Sequence, residues 1–517
     1  KDIVSKRTIN SKHYANLDGT YTAEIYSAPI FYFNNSGQWD DINTSLEPST
    51  DPNYDYMNVK NNYKTYLSND SLKGDYNVKY EKGDASIELK TISKLKRASM
   101  TYDTASLKNM LPSKIKTKLP DIASNKLKYP ETYNFSDKTM NIEYEILDSK
   151  LHEEFILNAP QNYPEIEQEI KLNNAYAKQV GDEIFIFNKK TDEYLWTIPV
   201  PVMFEKNNQS NKNYGLHYEF SDLSQDVWTI KKVLDKEGED WLASSERVYP
   251  VVVDTDFAGD TNDGHIYGSS PSYTTARSTS IDLLMSDTNF VVGQHNTYYV
   301  FRSFVKFNTS SIGLNNTVTQ VNLNLTVSGD YSTSDFTVRV HKYDWSATDP
   351  ITLGNMETPF DGALASAYDA DWRGSSGISI NTPYSSSNLD VTWVSKTGTT
   401  YYALLSDKDT SNSAPTASER LGIYSQEAAS LYRPILIVIY SPNTCTYSSG
   451  NWNVNCPDNC TITSNVAMGG NNISIKGTGK FIVNGVNISN YGKVYIEGNS
   501  STALCQVRTF NGGGFRK

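Results

Sequence analysis

The feature that most constrains this chain is its period. Short runs alternate apolar and polar residues at every second position, as in Met140-Asn141-Ile142-Glu143-Tyr144-Glu145-Ile146-Leu147, Glu183-Ile184-Phe185-Ile186-Phe187 and Trp228-Thr229-Ile230-Lys231-Lys232-Val233. Successive side chains of a β-strand point to opposite faces, so such runs bury one face of a pleated sheet and do not build a helical stripe. Asp-Gly and Ser-Gly turn signals cut the runs, as in Ala15-Asn16-Leu17-Asp18-Gly19-Thr20-Tyr21-Thr22-Ala23-Glu24-Ile25-Tyr26. The 36 tyrosines, set among abundant Thr, Ser, Asn and Val, suit half-buried strands. At 517 residues the chain exceeds what one core serves, so the expectation is an all-β, multidomain protein.

The pattern falls into four stretches. Residues 1–125 read as an N-terminal β-domain with a Lys-rich linker, Lys94-Leu95-Lys96-Arg97 and Lys114-Ile115-Lys116-Thr117-Lys118, taken as solvated because the surrounding chain is acidic. Residues 126–255 read as a second β-domain, closed by Trp241-Leu242 and Arg247-Val248-Tyr249-Pro250-Val251-Val252-Val253-Asp254. Residues 256–442 carry short strands at the spacing of a β-sandwich. Residues 443–517 form a Cys-containing, Asn/Gly-rich β-module. Its triplets Ile473-Ser474-Ile475, Phe481-Ile482-Val483 and Val494-Tyr495-Ile496 suggest a short β-solenoid.

Acidic residues outnumber basic ones 59 to 47, a net charge of −12, which argues against a nucleic-acid backbone or an anionic membrane as partner. A neutral, polar partner such as a glycan fits better. No run of eighteen apolar residues is present, so no membrane span is expected, and Lys1 to Lys6 carry no hydrophobic signal core. The four cysteines, Cys445, Cys456, Cys460 and Cys505, are expected to form two disulfides in an oxidising, extracellular or cell-surface setting. Cys445 and Cys456 flank the Ser449-Gly450 turn, which suggests a hairpin bond and leaves Cys460 with Cys505; the other two connectivities stay open. Glycosylation acceptors occur at Asn34, Asn43, Asn69, Asn134, Asn208, Asn308, Asn315, Asn324, Asn459, Asn472, Asn487 and Asn499.

Residues 263 to 440 resemble the DNRLRE domain. The likeness is carried by Asp263-Gly264-His265-Ile266-Tyr267, by Tyr299-Val300-Phe301-Arg302-Ser303-Phe304-Val305-Lys306-Phe307-Asn308-Thr309-Ser310-Ser311-Ile312 and by Val318-Thr319-Gln320-Val321-Asn322-Leu323-Asn324-Leu325. It continues through Phe336 to His341, Tyr343-Asp344-Trp345, Leu389-Asp390-Val391, Tyr424-Ser425-Gln426-Glu427 and Tyr432 to Tyr440. The resemblance implies a secreted or surface-attached jelly roll of the carbohydrate-binding-module kind. The region before it, from Asp18-Gly19-Thr20-Tyr21 to Asp254, is similar to the segment preceding such domains in bacterial wall-associated and Rhs-type proteins. The tail is similar to Asn/Gly-rich modules of surface proteins from uncultivated archaea. Tyrosine/aspartate repeats and a terminal toxin domain are not found, which argues against toxin delivery.

Asp254, Asp256, Asp260 and Asp263 crowd the junction before that domain and are the candidate ligands for calcium, which takes oxygen donors from flexible loops; the spacing is not that of an EF-hand, and simple turns compete. No other cofactor is expected. Tyr267, Tyr273, Tyr298, Trp345 and Trp372, with Tyr299, are candidates for stacking on sugar rings, although Trp345 and Tyr299 sit in strand text that faces inward. Glu427 and Asp344 read as framework carboxylates. His13, His152, His217, His265, His295 and His341 lack zinc-ligand spacing. With no phosphate-cradling glycine loop, Gly-x-Ser-x-Gly elbow or paired cysteine nucleophile, the chain is expected not to be an enzyme. Two readings follow. One is an extracellular structural or adhesive surface protein, a stalk, wall-layer or filament subunit partnering itself, with Lys1 to Asn10 as a strand it donates. The other is a carbohydrate-binding protein that anchors its owner to an extracellular polysaccharide.

Overall fold

The computed structural model describes residues 2–69, 75–91, 99–101, 124–135, 138–160, 163, 166–180, 183–258, 263–285, 288–497 and 505–517. The Lys-rich stretches at 94–97 and 114–118 lie outside the described residues. The architecture is all-β, with a few short helices, in three units: a two-sheet sandwich, a jelly roll and a solenoid.

In the first sandwich an eight-stranded and a ten-stranded sheet face each other across a core holding Tyr80, Phe155, Trp196, Trp228 and Val253. Alternation generates it: along Ile166–Asn173 every second residue is buried. Within this core Lys232 Nζ lies 3.3 Å from Glu153 Oε2, and Tyr144 and Gln168 donate to the same carboxylate at 2.6 and 2.7 Å. The ion pair is thus hydrogen-bonded on several sides, the condition under which a buried pair is tolerated.

The sheets do not respect a boundary at residue 125. Ala85–Thr91 pairs with Ile166–Asn173, and the hairpin Ser11–Ala15/Tyr21–Tyr26 pairs with Ile435–Ser441 at the far end of the jelly roll. Ala23 and Ile25 are buried there with Leu436, Val438 and Tyr440. Local alternation signals a strand but leaves its partner to long-range packing. Residues 2–10 are likewise no free strand for donation: Val4–Lys6 is a 3-10 turn, and Asp2 and Thr8 bridge to Tyr14 and Ser11.

The jelly roll is organised by one long strand, Thr317–Asp330, which pairs with Ile435–Ser441 in one layer and with Glu419–Tyr424 in the other. Register shifts at Val318/Gln320 and Val327/Gly329 bend it between the layers. Fully buried Arg302 ties down the outer side, donating to Asp409 Oδ2 at 2.7 Å and to the Phe360 carbonyl at 2.8 Å.

The tail is a three-sided parallel solenoid of three rungs. Trp452–Asn455, Ile473–Lys476 and Val494–Glu497 stack on one side, Cys460–Ile462, Gly479–Asn484 and Cys505–Phe510 on the second, and Val466–Ala467, Asn487–Ser489 and Gly514–Arg516 on the third. The expected triplets occupy these rungs. Asparagine side chains brace the corners: Asn451 Oδ1 accepts from the Asn472 amide at 3.0 Å, and Asn472 Oδ1 from that of Lys493 at 2.9 Å.

Two disulfides are present, but not in the favoured pairing: Cys445 bonds Cys460 and Cys456 bonds Cys505. The reason is topological. Trp452–Asn455 pairs with the next rung in parallel, not back across a hairpin, so Cys456 turns a solenoid corner instead of facing Cys445.

The loops closed span 15 and 49 residues, so chain entropy assigns about 3 kcal/mol to the first bond and about 4 kcal/mol to the second. Removing Cys456 and Cys505 together is therefore expected to lower solenoid stability more than removing Cys445 and Cys460, as read by urea titration of the whole protein, and non-reducing peptide mapping should recover these two pairs. A second expectation concerns His13, buried against the Tyr440 hydroxyl at 2.8 Å, where burial and then the Lys6 charge lower its pKa to about 4. The unfolded chain protonates first, so stability present above pH 6.5 falls by up to about 3 kcal/mol as pH drops to 4 and is flat below it. Thermal midpoints measured from pH 7.5 to 3.5 should lose this component in His13→Gln.

Candidate functional site

Lys150–Leu157 runs antiparallel to Val251–Ala258, with His152 opposite Asp256 and Glu154 opposite Asp254. Leu151, Phe155, Val253 and Phe257 enter the sandwich core, so Lys150, His152, Glu154, Asp254 and Asp256 share the outer face. That face is the floor of a cleft of about 480 Å³ between the sandwich and the jelly roll.

The floor is a charge network. Lys150 Nζ donates to Asp256 Oδ2 at 2.5 Å, and His152 Nδ1 lies 2.6 Å from Asp256 Oδ1. His152 Nε2 lies 3.3 Å from Glu154 Oε1, and Lys206 Nζ is 3.1 Å from Glu154 and 3.3 Å from Glu143. Burial opposes the imidazolium, but Asp254, Asp256 and Glu154 outweigh it and hold His152 protonated well above its ordinary range. Burial also disfavours the Glu154 carboxylate, yet His152 and Lys206 bring its pKa down to about 2. Asp256 is held low by Lys150 and His152 against the pull of burial. Asp254 goes the other way: burial, then the charge of Asp256, raise its carboxyl. Its Oδ1 is 3.3 Å from His152 Nδ1, but that donor is taken by the nearer Asp256, and the buried oxygen accepts no hydrogen bond.

The jelly roll supplies the opposite wall. Tyr424 and Tyr432 stack with centroids 4.8 Å apart at 14°. Glu427 beside them accepts from the Ser425 hydroxyl at 3.0 Å and the Gln426 amide at 2.9 Å, and burial raises its carboxyl. Tyr214, 44% exposed, stands on the sandwich rim. Arg433 locks the units together, its guanidinium 3.0 Å from Asp148 of the sandwich.

Of the four expected calcium ligands, Asp254 and Asp256 meet in this cleft. They are mid-strand, not in a flexible loop, and chain cations already occupy Asp256. Asp263 is buried in the jelly roll, accepting the Gln426 amide at 2.9 Å, and Asp260 lies outside the described residues. The expected sugar platform does not assemble. Trp345 and Trp372 are core residues, 1% and 2% exposed, and Tyr273 is buried with its hydroxyl on Gln294. Tyr298 is half-buried against Tyr273. Tyr267 is half-buried, its hydroxyl donating to Asp282, beside Tyr299, which points outward and is 38% exposed, contrary to expectation. Among the acceptor asparagines, Asn43, Asn208, Asn308, Asn315 and Asn459 are exposed; Asn34, Asn69, Asn324, Asn472 and Asn487 are half-buried; the side chain of Asn134 and all of Asn499 lie outside the described residues. Sequence reasoning missed Lys150, His152 and Glu154 and did not mark Tyr424 or Tyr432 as site residues. Extending the Val251 alternation through Asp254-Thr255-Asp256 would have shown two carboxylates on one strand face.

No family model matches the chain. It is 24% identical over 270 residues to the tRNA nuclease WapA of Bacillus subtilis, an alignment covering 49% of this chain and 10% of that protein. The tRNA3(Ser)-specific nuclease WapA of Bacillus spizizenii matches with the same 24% identity and the same 49% and 10% coverage. The chain thus spans about a tenth of the length of these relatives. Among solved structures, a rhamnosidase from Novosphingobium sp. PP1Y aligns at TM-score 0.14 and 8% identity over 63% of this chain and 26% of that one. The N-terminal domain of the Streptococcus gordonii adhesin Sgo0707 aligns at TM-score 0.11 and 8% identity over 83% and 90%. Superpositions this poor carry no argument. The relatives' names overturn the expectation of a non-enzyme, because half of the chain is shared with proteins named as nucleases. That expectation rested on missing nucleophile and zinc motifs, and such motifs say nothing of acid–base chemistry by histidine and carboxylates.

Lys150→Met strands the Asp256 carboxylate with His152 alone in a buried site, and the expected cost is roughly 3 to 5 kcal/mol. Chemical denaturation at pH 7 checks this. The Glu154 contribution is present above the ordinary carboxylate range and is lost as pH falls toward about 2, so Glu154→Gln should flatten the acid limb of the same measurement.

Proposed function

We propose that the chain acts at a cell surface as the glycan-contacting part of a WapA-type protein, and that the cleft between its two sandwiches is where the glycan sits. The carrying observation is the meeting, in one cleft, of a flat tyrosine wall and a floor of fixed hydrogen-bonding side chains. Sugar rings offer apolar faces to aromatic side chains and hydroxyls to carboxylates and amides, and clefts between domains are common ligand sites. The likeness of residues 263–440 to the DNRLRE domain supports a secreted jelly roll of the carbohydrate-binding kind. The two disulfides suit an oxidising exterior, and among the described residues no helix is long and apolar enough to cross a membrane.

Binding to a panel of surface polysaccharides should be saturable, and Tyr432→Ala should weaken it at least tenfold with the thermal midpoint unchanged. Intact tRNA belongs in the same panel. Cleavage of tRNA by the purified chain, sensitive to His152→Gln, would replace this reading with a catalytic one.

A further inference from the structure

Inside the first sandwich, away from the cleft, three polar side chains meet in an otherwise apolar core. Lys232 on Val227–Leu234 and Gln168 on Ile166–Asn173 belong to neighbouring strands, with Lys232 opposite Ile166 and Gln168 opposite Ile230, so the two lie diagonally on one inward face. Glu153 reaches them from the facing sheet. Lys232, Gln168 and Glu153 are 1%, 2% and 0% exposed. Lys232 Nζ lies 2.7 Å from Gln168 Oε1 and 3.3 Å from Glu153 Oε2, and Gln168 Nε2 donates to Glu153 Oε1 at 2.7 Å. One carboxylate therefore touches an amine and the nitrogen of an amide, while the amine touches that amide's oxygen. The amide carbon is one C=O bond, about 1.2 Å, beyond Oε1, and so within about 4 Å of Nζ.

We propose that this trio closes an amide bond between Lys232 Nζ and Gln168 Cδ and releases ammonia, leaving a covalent staple across two strands of the sandwich. Burial lowers the pKa of the Lys232 ammonium against the pull of Glu153, and the Phe155 ring covers Nζ at 4.1 Å. Desolvation of this kind is what makes a lysine a nucleophile. Glu153 takes one proton from Nζ, which gives a neutral amine and a neutral acid within hydrogen-bond reach of the amide. Nζ then bonds to Cδ as the carbonyl electron pair moves onto Oε1. Glu153 passes its proton to Nε2 and takes one from Nζ, the pair on Oε1 restores the carbonyl, and the Cδ–Nε2 bond breaks with ammonia as the leaving group. An ammonium, a carboxylate and a primary amide thus become a secondary amide, a carboxylic acid and ammonia, with no change in total charge. Tyr144, donating to Glu153 Oε1 at 2.6 Å, holds the carboxyl in place, and burial keeps out water that would compete with the amine. The product also removes a buried ion pair whose desolvation opposes folding. The four cysteines all lie at or beyond position 445, so the sandwich carries no disulfide, and this amide ties residues 64 apart in the chain.

The test is mass spectrometry of the whole native chain, fresh and after prolonged incubation at mildly alkaline pH, followed by peptide mapping. The stapled chain is lighter by one ammonia, about 17 Da, than the sequence with its two disulfides, and one peptide pair joining Gln168 to Lys232 survives reduction. Gln168→Met keeps the size of the side chain and removes the acyl group, so both the mass deficit and the joined peptides should disappear. Separate recovery of the Gln168 and Lys232 peptides from fresh and incubated protein alike overturns the proposal. So does a deficit that persists in Gln168→Met, which would assign the lost ammonia to asparagine cyclisation at a turn such as Asn484-Gly485. If the variant does not fold, the fragment spectrum of the joined native peptides decides alone, since it identifies the two linked residues.

Discussion

Between Lys150–Leu157 and Val251–Ala258 the register sets Glu154 opposite Asp254 and His152 opposite Asp256, and a slip of one residue would turn Lys150, His152 and Asp254 into the core and Phe155 and Val253 out to water. Both the sandwich and the cleft therefore hang on one pairing. The hydrophobic set enforces the register from below and the charge network from above. The strand Val251–Ala258 also carries the chain toward Asp263, the first residue of the next strand, in the jelly roll. The floor of the cleft is in this way built by the last strand of the sandwich before the second unit begins.

Placing charge at such a joint has a cost that only complete pairing offsets. Lys150, His152 and Lys206 sit among four carboxylates, Asp254, Asp256, Glu154 and Glu143, and each close contact is one in which a lost partner leaves a desolvated ion behind. Arg433 repeats the device on the jelly-roll side, its side chain 3% exposed and shared between Asp148 and the Ala428 carbonyl. Directional polar contacts of this kind fix the relative placement of two units more narrowly than apolar contact does, since a hydrogen bond weakens steeply off its axis. Arg433 and Asp148 thus tie the unit that carries the tyrosine wall to the unit that carries the charged floor.

What the sequence made legible was period and composition. The alternation at Ile166–Asn173 and the triplets at Ile473, Phe481 and Val494 became strands, and the solenoid followed from their spacing. Partner choice was not legible. Nothing local in Tyr21–Tyr26 says that its neighbour is Ile435–Ser441, and nothing around Cys456 says that its chain continues in parallel. The site was hidden for the same reason. Lys150 and His152 are ordinary outward residues of one strand and Asp254 and Asp256 of another, and they become a cluster only when the two strands pair. Trp345 and Trp372 show the converse error, because a large aromatic residue in a sandwich is more often core than platform.

The relatives' names and the charge of this chain pull in different directions. A net charge of −12, with Asp254 and Glu427 facing the opening, repels a phosphate backbone at long range and again at contact. On the reading proposed above, a partner without negative charge meets no such barrier. Arg433, 3.0 Å from Asp148, ties the jelly-roll wall that carries the tyrosine pair to the sandwich that carries the floor.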